Sequence, residues 1–159
     1  MRGLISVVAV FILLSISLTS GFSFDSSGVQ NYVDGYNSKI DNAPDVLKGL
    51  LGNERINIDI IRGDGSVFST GLEVENARVN RTVQGGLSDP TIIITTTESA
   101  INNIRGASDP VTAFQKESET GQVKIEGQNL VTRAKIGAVL SSSSVLGFFY
   151  NIFFGQQAS

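Results

Sequence analysis

The chain has 159 residues, with 12 basic and 15 acidic side chains and neither cysteine nor histidine. That excludes disulfides, thiol and imidazole catalysis, and the usual zinc and haem ligand sets. A net charge of −3 without any Lys/Arg cluster leaves no footprint for nucleic acid, and the length accommodates one domain plus a targeting segment.

Arg2 precedes an uncharged apolar run from Leu4 to Leu18 and then small polar residues, the layout of a signal peptide. Read on through Phe22 and Phe24, the segment is long enough to span a bilayer. Residues 1–24 are therefore expected to be a membrane anchor or a cleaved signal, with the basic end in the cytoplasm and the following chain exported. The domain is then either tethered outside the cytoplasm or secreted. A buried core helix fits less well, because the run has no polar face at helical spacing.

Val29, Tyr32, Val33, Tyr36 and Ile40 form the stripe of an amphipathic helix, interrupted at Asn42-Ala43-Pro44. A short second helix is expected from Pro44 to Gly52. Strands follow. Ile56, Ile58 and Ile60 alternate with polar residues; "RGDG" is a tight turn; Phe68, Thr70, Leu72 and Val74 alternate in a second strand; and 77–84 is a third, with Ala77, Val79 and Val83 on one side. The three strands form a meander. Ile92, Ile93 and Ile94 occupy both faces of a strand expected to lie inside the sheet, covered on both sides. Thr97 caps a short helix carrying Ala100, Ile101 and Ile104 and ended by Gly106; Ser108 or Asp109 caps the next, with Val111 and Phe114 inward. "GQVKIEGQ" is a fifth strand, and from Asn129 a helical pattern of Leu130, Val131, Ala134, Ile136 and Val139 leads into "SSSSVLGFFYNIFF".

This order predicts an α+β domain over residues 25–144. "SDPTIIITTTESAINNIRGASDPVTAF" followed by "GQVKIEGQNLVTRAKI" resembles the sterol carrier protein type-2 family, with Asp89, Gly106, Asp109, Pro110, Ala113, Phe114, Gly121, Val123, Lys124, Ile125 and Gly127 at matching motif positions. The resemblance runs from about Val29 to Val139. The connection from Phe114 to Gly121 is longer than in the family, and the C-terminus lacks its peroxisomal address. The resemblance implies a five-stranded, mostly antiparallel sheet with helices packed on one side around an apolar cavity. It also implies a protein that is not an enzyme, takes no cofactor or metal, and binds or transfers an apolar lipid such as a sterol, a fatty acyl or an isoprenoid chain. The candidate lining residues are Phe68, Leu72, Ile93, Ile101, Ile104, Phe114, Leu130 and Ala134. The same periodicity fits an ordinary filled core, so the alternative is a membrane-anchored structural or interaction domain of the same fold.

Other motifs have plainer explanations. Arg62-Gly63-Asp64 is explained by hairpin chemistry rather than cell adhesion. Asn80-Arg81-Thr82 is a glycosylation sequon that matters only if the domain is exported. Glu117 and Glu119 diverge on a helix and make no acid/base pair, and "VQGGLSD" lacks the lysine of a phosphate-binding loop. In the tail, 145–159, Val145, Phe148, Phe149 and Ile152 make one aromatic face. Their apolar run is too short to cross a membrane as a helix, so the tail is expected to act as a lid on the domain or as an interfacial helix.

Overall fold

A computed structural model describes residues 26–141 apart from 46, 47, 50 and 51. The elements are α1 (Ser26–Lys39), a 3₁₀ turn (Ile40–Asn42), β1 (Glu54–Ile61), β2 (Val67–Glu75), β3 (Arg78–Gln84), β4 (Ile92–Thr97), α2 (Glu98–Gly106), α3 (Pro110–Glu119), β5 (Val123–Gly127) and α4 (Leu130–Ser141). The strands form one sheet in the order β3-β2-β1-β4-β5. Only the central β1–β4 pair is parallel. Among the described residues no helix is long and apolar enough to cross a membrane. The expected anchor at 1–24 and the tail at 145–159 lie outside the described residues.

Strand alternation builds the core. Ile56, Ile58 and Ile60 of β1 share a face with Leu72 and Val74 of β2 and Ile92 and Ile94 of β4. Against it pack Val29, Val33 and Tyr36 of α1, Ile40 of the 3₁₀ turn, Ala100, Ile101 and Ile104 of α2, and Phe114 of α3. The expected caps are in place: the Thr97 hydroxyl accepts from Ala100 N, and the Asp109 carboxylate accepts from Val111 N, Thr112 N and the Thr112 hydroxyl. Those bonds, that of the Thr112 hydroxyl first, hold the Asp109 carboxyl below its ordinary pKa. The "RGDG" stretch is the β1–β2 turn, closed by Arg62 N to Ser66 O at 2.8 Å, with Gly65 at φ 82°.

Two expectations change at β3. Asn76 and Ala77 both have positive φ, 50° and 64°, so Ala77 belongs to the hairpin turn rather than to the strand. The register then steps from Val74↔Val79 to Glu73↔Arg81, which leaves Asn80 as the extra residue of a bulge. One inserted residue inverts the parity of a strand. Val79 therefore faces the core, while Val83, paired with Gly71, lies on the opposite face.

That opposite face carries Arg55, Asn57, Asp59, Glu73, Thr95, Lys124 and Glu126. It is crossed by the β3–β4 connection, which has to pass over β2 and β1 to reach the far side of β1. The Asn57 side chain holds it, accepting from Leu87 N at 2.7 Å and donating to Leu87 O at 2.9 Å. Arg55 donates to Asp89 and Glu73. Beneath the strap sits Gly71, where a Cβ would stand 2.6 Å from the Leu87 side chain and 2.9 Å from its backbone N. The glycines of "VQGGLSD" serve this crossing, with Gly85 and Gly86 at φ 82° and 91°. Gly71→Val is expected to displace the strap and destabilise the domain by about 1–3 kcal/mol, read as a lower urea midpoint.

α1 is tied to the hairpin through Tyr36, whose hydroxyl donates to Ala77 O at 2.7 Å. Asn37 exchanges two bonds with the Val79 backbone and so occupies part of the β3 edge. Burial, only partly offset by the Arg78 charge, pushes the Tyr36 phenol well above its ordinary 10.0. The folded state thus keeps the phenol neutral where the unfolded chain ionises. This contribution is intact below pH 10.0 and is lost as pH rises beyond it toward the folded pKa. Urea midpoints of wild type and Tyr36→Phe across that range should show a steeper alkaline loss in the wild type.

Candidate functional site

The sequence places an asparagine, then an apolar run with period near four, directly after the last strand. Asn129 Oδ1 accepts from Thr132 N at 2.8 Å and starts α4. Gly127 lets the helix begin against the end of β5, since a Cβ there would lie 2.9 Å from Arg133 N. The Arg133 side chain donates to Gly127 O at 2.8 Å. Among the described side chains of α4, Thr132 and Ile136, four apart, are the buried ones. Leu130, Ala134 and Ala138 fall on another stripe, joined by Val131. Leu130 is 80% exposed and Val131 67%. Together with Lys135 these four line a shallow depression on the surface of α4, wide open to solvent and of about 510 Å³.

Lys135 is the polar feature of this groove. Its ammonium donates to Glu54 Oε1 at 3.0 Å, and Glu54 Oε2 accepts from the Thr91 hydroxyl at 2.6 Å. Glu54 is 4% exposed, a carboxylate on the core side of β1 held by α4 and by the residue preceding β4. A second, polar concavity of about 360 Å³ lies between Asn53–Arg55 and Glu73–Asn76. Its Glu73 is engaged by Arg55 and Arg81, and Glu75 by Asn80. Among the described residues no group of three or more metal-ligating side chains is assembled.

No protein-family model and no curated protein matches the chain. Solved structures do. A UbiJ-SCP2 ubiquinone synthesis protein matches at 12% identity and TM-score 0.51, over 80% of this chain and 96% of that one. A conserved hypothetical protein of Thermus thermophilus, described as possibly a sterol carrier protein, matches at 10% identity and TM-score 0.53, over 89% and 97%. A crystal structure of sterol carrier protein 2 matches at 8% and 0.52, over 81% and 95%. The chain has the sterol carrier protein 2 fold.

The eight residues that the resemblance singles out do not converge in this sterol carrier protein 2 fold. Leu72, Ile101, Ile104 and Phe114 are together in the helix-side core, each at most 2% exposed. Phe68 is half-buried at the margin of that core, with the Arg62 guanidinium 5.5 Å from its ring centroid. Ile93 is a correction. It pairs in register with Asn57, on the polar face, so it cannot line a space shared with Leu72, and β4 is not covered equally on both sides. Leu130 and Ala134 face outward on α4 instead of inward. Val131, Lys135 and Ala138 are groove residues that the sequence reading leaves out, although the 130-134-138 spacing points to Ala138. Glu54 was also legible, since it shares the parity of Ile56, Ile58 and Ile60.

Proposed function

We propose that the domain binds an apolar lipid non-covalently, with the chain of the ligand lying along the outer stripe of α4. The observation that carries this reading is the groove itself: four apolar side chains on one helix face, two of them large and exposed, in a fold shared with sterol carrier protein 2. Ligand sites are mostly apolar with few polar groups, and each methylene removed from water contributes about 0.8 kcal/mol. Titration of a fluorescent fatty-alcohol probe into the full chain tests it. Saturable binding, weakened about tenfold or more by Leu130→Glu with an unchanged urea midpoint, is the expected result. Absence of saturable binding overturns the reading.

A second reading, a structural or interaction domain with its cavity filled, is favoured by the burial of Leu72, Ile101, Ile104 and Phe114. It predicts that no lipid co-purifies. For residues 1–24, Arg2 ahead of an apolar run supports export, with the segment retained as an anchor or cleaved from a secreted domain. Protease added to intact cells should degrade a tethered domain, and full-length protein found soluble in the cytosol overturns both outcomes.

A further inference from the structure

The groove also holds information on the polar end of its ligand, an inference that rests on the lipid-binding reading. Among the described residues lining it, Lys135 alone is charged. The side chain of Glu54 is 5% exposed, and a carboxylate so far removed from water requires a partner. The Lys135 charge is therefore committed to Glu54, and the pair is neutral as a whole. An ammonium has three donors, and Glu54 takes one. With its side chain 34% exposed, Lys135 can offer a remaining donor to an oxygen lying in the groove.

We infer that the groove selects an uncharged lipid ending in a hydroxyl or carbonyl oxygen over a fatty-acid carboxylate of equal chain length. A neutral oxygen accepts a hydrogen bond from Lys135 without disturbing the pair. A carboxylate would place two negative groups on one ammonium, leaving an uncompensated charge beside the buried Glu54 carboxylate. The discriminating element is thus Glu54, which does not itself line the groove, acting through Lys135.

The test compares a pyrene-labelled fatty alcohol with the fatty acid of the same length and label, titrated into the full chain at about pH 8, where the acid is ionised. The alcohol is expected to bind about tenfold more tightly. Glu54→Gln, which releases the Lys135 charge, should raise affinity for the acid and narrow that ratio toward unity. Equal or tighter binding of the acid by wild type overturns the inference, and so does a folded Glu54→Gln variant with an unchanged ratio. The wild-type comparison decides even if that variant does not fold. Binding of neither probe overturns the lipid-binding reading, an outcome distinct from binding of both with the wrong preference.

Discussion

Phe114→Ala is expected to lower the unfolding free energy by about 3–5 kcal/mol, a large share of the ~5–15 kcal/mol that stabilises a typical domain. Phe114 is the large side chain by which α3 reaches the core, and it is 2% exposed. Truncation removes its transfer free energy and leaves a cavity between α3 and the sheet that neighbours such as Ile101 and Ile104 only partly fill. Urea unfolding followed by circular dichroism should show a lower midpoint with an unchanged slope. The same variant separates the two roles this position can have. A residue walling an open tunnel already faces a void, so its truncation would alter lipid binding more than stability. A loss below about 1 kcal/mol with binding abolished would therefore move Phe114 from the core to the site.

Lys135→Met should destabilise the domain by about 3 kcal/mol, at the lower end of what removal of one partner from a buried ion pair produces, because the lysine is itself a third exposed. The cause is the carboxylate left behind: among the described residues, Glu54 would retain only the Thr91 hydroxyl. Glu54→Gln introduced on top of Lys135→Met should restore much of the loss, since an amide in that position has far less to lose by burial than an unpaired charge. The two single variants and the double variant form a cycle whose interaction energy reads the pair directly. Additive effects would mean that Lys135 and Glu54 are not coupled and would remove the basis for the proposed preference for neutral lipids.

Sequence and structure agree where periodicity alone settles the outcome. All five positions of the predicted first stripe are buried, four on α1 and Ile40 on the 3₁₀ turn that follows it, Thr97 and Asp109 cap as their side chains permit, and the β1–β2–β3 meander has the expected order. The sequence went further than its reading at Glu54, whose parity with Ile56 already aimed it into the core. It was misleading at Val83, where an inserted Asn80 reverses the facing of everything after it, and a bulge has no side-chain signature of its own.

By itself, then, the sequence determined the five strands, the helices α1 to α4, the caps at Thr97 and Asp109 and the α+β class, because these depend on spacing within a few residues. Tertiary structure alone decided which apolar residues share a space. Ile93 and Leu72 are alike in composition, yet the registers of β4 and β2 against β1, which pair them with Asn57 and Ile56, put them on opposite faces of the sheet. Leu130 and Ile136 belong to one helix, yet the approach of α4 to β5 at Gly127 turns Ile136 inward and leaves Leu130 exposed. A helix apolar on more than one side does not specify which side it buries; the strand against which it packs does.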